Sequence, residues 1–239
     1  MKQRLFALSI ATILAVPFTA CAGPFSDFEH DLRDAYGQYR TALFQSNQGN
    51  LEATATAIQS LSDKWLALET NWGQTPPPQY AADPGYTDTL SAVRTVITQA
   101  TEEVTSASGD LGKVHVTLEA LRADVGALHD RNGIVTFSDR MNAYHAKMEQ
   151  ILALDLATQP DGGLAILADE SAVLAYLTAD IAAHPAPEAA EPAYGPAFVA
   201  VQQSVEALQS AVHAGDAAAA RAALGGLKAP YSKLFAKFG

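Results

Sequence analysis

The chain has one cysteine in 239 residues, Cys21. That excludes an internal disulfide, a cysteine-based zinc site and a Cys-x-x-Cys-His haem attachment. Bases are also scarce: 15 Lys and Arg stand against 26 Asp and Glu, a formal net charge of −11. Phosphate recognition needs basic patches, so no nucleic-acid partner is expected. Charged residues of both signs make up 17% and hydrophobic ones 49%, which excludes a solvated, disordered chain. Aromatics are 8%, so the core has to be built mostly from Ala, Leu and Val. At roughly 100–150 residues per domain, the length allows one large domain or two small ones.

Enzyme signatures are missing as well. No Gly-x-Ser-x-Gly, His-Glu-x-x-His, P-loop or Gly-x-Gly-x-x-Gly stands in a fitting context. Carboxylate pairs such as Glu102-Glu103 are adjacent on a helix, so the two side chains do not face each other across a cleft. A non-enzymatic protein is expected.

The first 22 residues read as an export signal. Met1-Lys2-Gln3-Arg4 is basic, residues 5–18 are apolar but too short to span a bilayer, and Ala20-Cys21-Ala22 forms an A-x-A cleavage site. A cut after Ala22 yields a periplasmic protein without cysteine. Phe18-Thr19-Ala20-Cys21 is also a loose lipobox, and a cut before Cys21 would anchor the chain to a membrane through lipid. Residues 1–22 hold Lys2 and Arg4 and no acid, so either cut enlarges the acid excess. An acidic surface suits a basic periplasmic partner.

Beyond the signal, period 3.6 recurs and period two does not, which predicts an all-α fold. Eight helices are expected, over about 26–46, 51–71, 87–106, 111–131, 137–157, 164–183, 197–213 and 217 onward. Glycine turns and two proline-rich crossovers, around 73–85 and 184–196, separate them. Thr136-Phe137-Ser138-Asp139 is a capping box for the fifth.

The second half echoes the first. Leu90, Val93, Ile97, Ala100 and Val104 have the spacing of Phe198, Val201, Val205, Leu208 and Val212. Gly109-Asp110 opens a run ending at Gly133, and Gly215-Asp216 opens one of equal length ending at Gly239. Each half has its crossover between its second and third helices. Two tandem four-helix-bundle repeats are expected, 23–133 and 134–239, after a signal peptide at 1–22.

A Thr75-Pro76-Pro77 crossover, and His129 twenty residues after the turn glycine Gly109, resemble the soluble periplasmic b-type cytochromes of four-helix-bundle form. The resemblance covers residues 25–131 and, more weakly, 137–239. In that family a histidine of the fourth helix and a methionine early in the first bind the haem iron. The resemblance thus implies haem b, with His129 as one ligand. The sequence departs from the pattern: the first helix has no methionine, whereas the second half has Met141 early in its first helix but Phe235 where His129 stands.

The fourth and fifth helices are joined by a few residues, so an antiparallel hairpin is expected. Pivoting at Ile134 sets His129 level with Asp139 and Arg122 near Ala146. Cofactor ligands are then expected among His129, Met141 and His145. A second ligand set, for copper, lies on the same helices. His115 with Glu119, and His145 with Glu149, share a helix face, and Met148 follows His145 by three residues. Thioether and imidazole suit copper(I). The plain structural alternatives are core methionines and surface His–Glu pairs. Two functional readings result: an exported module binding haem b or copper for electron transfer or metal handling, and a cofactor-free interaction or scaffold module.

The processing readings separate by intact mass. The exported protein is expected to begin at Gly23, and a lipid-bearing Cys21 at its start would establish the anchored form instead.

Overall fold

A computed structural model describes residues 23–239; the expected signal, including Cys21, lies outside them. Every regular element among the described residues is helical. The helices are α1 (Pro24–Asn47), α2 (Leu51–Trp72), α3 (Tyr86–Thr105), α4 (Leu111–Arg131), α5 (Phe137–Leu152), α6 (Leu164–Ala183), α7 (Tyr194–His213), α8 (Ala217–Gly225) and α9 (Lys228–Phe238). None is long and apolar enough to cross a membrane.

Local chemistry sets the ends. Asn50, Asp110 and Asp216 each follow a glycine with positive φ and accept a backbone N–H in the first turn of α2, α4 and α8. Thr136 and Asp139 form the expected capping box at α5.

Two expected boundaries differ. Helix α5 stops at Leu152 rather than near 157, and short 3-10 turns follow. Leu156 there folds back into the core, so close to Gly163 that a Cβ on that glycine would lie 2.6 Å from Leu156 Cδ2. The expected eighth helix is broken into α8 and α9. Gly225 and Gly226 are poor helix formers, and Pro230 in a continuous helix would clash with the carbonyl four residues back. Starting a new helix at Lys228 places Pro230 in a first turn, where proline is tolerated.

Packing follows the apolar stripes. Helix α1 lies against α2 and α4, α2 against α3, and α3 against α4, so the four form a closed ring. Helix α5 lies against α6 and α9, α6 against α7, and α7 against α8 and α9. Phe28, Leu32, Ala35, Tyr39 and Ala42 of α1 are buried with the same spacing as Phe137, Met141, Tyr144, Met148 and Ile151 of α5. Thr54, Ile58, Leu61, Trp65 and Leu68 of α2 match Leu167, Ser171, Leu174, Thr178 and Ile181 of α6 in the same way. Helices α3 and α7 each open on a buried tyrosine, Tyr86 and Tyr194. A further contact, between α1 and α9, joins the two sets of helices.

The first crossover is pinned from both sides. Tyr80 is fully buried and packs edge-on to Phe28, with ring centroids 5.1 Å apart. Arg131 holds Asp83 through a two-nitrogen contact at 3.1–3.2 Å, and Asn132 donates to the same carboxylate. Phe28 also meets the rings of Trp72 and Tyr86. Phe28→Ala is therefore expected to destabilise the fold by about 3–5 kcal/mol, read from denaturant unfolding.

Candidate functional site

Helices α1, α4, α5 and α9 leave a groove of about 380 Å³ between them. Helix α4 contributes His115, Glu119 and Arg122, and α5 contributes His145. Helix α1 adds Arg40 and Phe44, and α9 adds Lys228, Tyr231 and Phe235. Three of the residues expected to bind a metal, His115, Glu119 and His145, thus line the same groove.

His145 is held on two sides. Arg122 Nη1 donates to its Nδ1, so the ring proton sits on Nε2, 3.5 Å from Glu149. Its ring stacks on Tyr231 with centroids 5.2 Å apart and 17° between planes. Burial first, and then the charge of Arg122, push its pKa down to about 4. His145 is therefore a neutral donor at pH 7. His115 donates from Nδ1 to the Ser46 hydroxyl at 3.0 Å, and that hydroxyl donates onward to the Leu43 carbonyl. Its Nε2 lies 3.5 Å from Glu119, which also receives Arg122 Nη2 at 3.2 Å. Glu149 is bonded to Lys228 at 2.8 Å.

The arginines deepen the site. Arg122 lies over the Phe235 ring, 5.3 Å from its centroid. Arg40 is 8% exposed, and its Nη2 donates to the Lys237 carbonyl at 3.3 Å. Among the described residues no carboxylate lies within ion-pair distance of it. Arg40 Nε, Arg122 Nε and the Tyr231 hydroxyl have no hydrogen-bond partner there either. Burial keeps the Tyr231 pKa well above its ordinary range, so that hydroxyl stays a neutral donor.

His129 belongs to a different cluster, seven residues and about two turns further along α4 than Arg122. It is 3% exposed. Its Nδ1 donates to Asp139 at 2.8 Å, the register expected for the hairpin, and its Nε2 faces Glu29 at 3.8 Å. Asp139 also accepts from the Thr136 N–H and hydroxyl, each at 2.7 Å, and Glu29 accepts from the Tyr80 hydroxyl at 2.6 Å. Met141 and Met148 are fully buried among the core residues of α5. The ligands expected for a cofactor are therefore distributed over a groove, a carboxylate cage and a core. Among the described residues, no three His, Cys, Asp or Glu side chains converge closely enough to hold a metal ion.

Arg40 and Tyr231 were not singled out from the sequence. A signal for Arg40 was present: it sits between Tyr36 and Leu43, on a second apolar face of α1 beside the main stripe. Tyr231 has the stripe position that Val125 has in α4 and reads as plain core.

Comparison with family models, curated proteins and solved structures returned no match to this chain. The fold and site thus define an all-α protein with a polar groove, and its class rests on that geometry.

The two histidines separate by titration. Burial works to lower the His129 pKa, but the Asp139 hydrogen bond and the charges of Asp139 and Glu29 outweigh it and hold it above 6.5. Burial tends to raise Asp139, but His129 and Thr136 hold it below 3.8. The raised His129 stabilises the fold fully below pH 6.5, and that contribution is lost as pH rises through its folded value. The lowered Asp139 contributes above pH 3.8 and loses its share as pH falls. Glu29, raised by burial, subtracts stability as pH rises past 4.5. Ring-nitrogen NMR is expected to show His129 titrating above 6.5 and His145 well below it. The thermal midpoint of His129→Gln should fall less than that of the parent between pH 6 and 9.

Proposed function

We propose that the protein is an exported, non-enzymatic binding module, formed by duplication of a four-helix unit, whose binding site is the groove where the two units meet. The groove itself carries the reading. Its walls come from α1 and α4 on one side and α5 and α9 on the other. About 380 Å³ lies within the range of small-molecule sites. Duplication draws support from the matching buried stripes of α1 with α5, α2 with α6, and α3 with α7. The apolar run before Gly23 and its A-x-A site support export to the periplasm.

The resemblance to haem-binding bundles and the His–Met cluster motivate a cofactor, haem b or copper. Two features weigh against placing a metal cation here. Arg122 occupies His145 Nδ1, and Lys228 occupies Glu149. His129 spends its Nδ1–H on Asp139 and faces a second carboxylate. A small organic ligand in the groove asks for none of these bonds to break. A basic protein partner remains the use that the acidic outer surface suits.

The test is made on protein isolated from its own compartment, by absorption spectroscopy, elemental analysis and native mass spectrometry. Expected are no Soret band, no stoichiometric copper, and a small-molecule adduct missing from Ser232→Trp, which fills the groove. Stoichiometric haem or copper lost in His129→Ala or His145→Ala would establish the cofactor reading instead.

A further inference from the structure

The groove differs in charge from the rest of the chain. The whole protein has eleven more acids than bases, yet the groove lining holds Arg40, Arg122 and Lys228 against the single carboxylate of Glu119. Arg122 is neutralised by Glu119, and Lys228 by Glu149 at the rim. Among the described residues Arg40 has no carboxylate within ion-pair distance. The residue is more than nine-tenths buried, and one backbone carbonyl in the last turn of α9 is its acceptor there.

A buried charge without a counter-charge is costly, and folded proteins normally pair it. Glu188, an acid whose charge acts on Arg40 from beyond ion-pair distance, is itself bonded to Arg33 at 3.4 Å. The residues lining the groove carry three buried polar atoms without a partner among the described residues: Arg40 Nε and Arg122 Nε, which can only donate, and the Tyr231 hydroxyl. Two buried guanidinium N–H groups and one buried hydroxyl without partners, on residues lining one groove that holds three cationic side chains and one carboxylate, favour an anionic, acceptor-rich ligand group. The remaining lining is aromatic. Tyr231 and Phe235 stack with centroids 5.7 Å apart and 16° between planes, His145 and Arg122 lie against those rings, and Phe44, 39% exposed, offers its ring at the rim.

We propose that the groove binds an organic carboxylate with a planar apolar body, its carboxylate seated on Arg40 beside Arg122 and Tyr231, and its body laid against Tyr231, Phe235 and Phe44. Guanidinium and carboxylate match as planar, two-point partners, and burial strengthens their bond. The aromatic wall then supplies the apolar contact and the shape selection. This assignment rests on the groove being the binding site.

The experiment titrates the purified protein, freed of bound small molecules by mild unfolding and refolding, with 2-naphthoate, with uncharged 2-naphthamide and with inorganic phosphate, by calorimetry and naphthyl fluorescence. Naphthoate is expected to bind, naphthamide and phosphate to bind far more weakly, and Ser232→Trp to abolish the signal. Arg40→Met, which keeps the stem and removes the charge, is expected to weaken naphthoate about tenfold or more. Its thermal midpoint should not fall, because an uncompensated buried charge is removed. Lys228→Gln lies on the exposed rim, leaves the core untouched, and is expected to weaken binding about threefold. Naphthamide binding as tightly as naphthoate, or naphthoate binding indifferent to Arg40→Met, overturns the carboxylate seat while leaving the groove as the site. Phosphate binding without naphthoate overturns the apolar body. Naphthoate binding that Ser232→Trp leaves intact overturns both this assignment and the groove itself.

Discussion

Helix α1 is buried on two faces, and the rest of the molecule is arranged around that constraint. One face, through Phe28, Leu32, Ala35, Tyr39 and Ala42, packs within the ring that α1 forms with α2, α3 and α4. The other, through Tyr36, Arg40 and Leu43, is covered because α1 also meets α9. An amphipathic helix has one wide apolar stripe. Once that stripe is spent inside the ring, the second contact has to be made by the residues flanking it, which are polar or mixed.

The seam between the two sets of helices is accordingly joined by directed polar bonds as well as by grease. Asn142 donates to the Tyr36 hydroxyl at 3.1 Å, Arg33 pairs with Glu188, Arg122 meets His145, and His129 meets Asp139. Such a seam packs less tightly than a core, and its gap is the groove. The polar groups there are half-withdrawn from water, which is why opposite shifts appear on two histidines of neighbouring helices. His145 faces Arg122 and stays neutral, whereas His129 faces two carboxylates and is favoured as a cation. A site at this seam answers to both sets of helices, so a ligand bound in it would also bear on how they are held together.

Much of the fold was legible because helices advertise themselves locally. Period 3.6 located every main helix, and the Gly-Asn and Gly-Asp turns and the Thr136 capping box set their starts. The break between α8 and α9 needed the combined reading of Gly225, Gly226 and Pro230 rather than the stripe, which runs on unbroken through Leu224, Leu227 and Tyr231. Of the groove, His115, Glu119 and His145 were found from their spacing on α4 and α5. Arg40 and Tyr231 were not, because their role comes from helices far apart in sequence, and neither carries a local motif.

The amino-acid order alone determined an all-α chain with few bases, no disulfide and a hairpin that sets His129 beside Asp139. These are consequences of composition and of contacts within a few turns, where geometry is nearly independent of the remainder. Only the tertiary structure decided that α1 meets α9, that Arg40 is buried with no carboxylate paired to it among the described residues, and that Met141 and Met148 lie in the core while His145 lies in a groove. Those outcomes depend on which helix faces meet across the seam, and a helical stripe specifies that a face is buried without specifying by what.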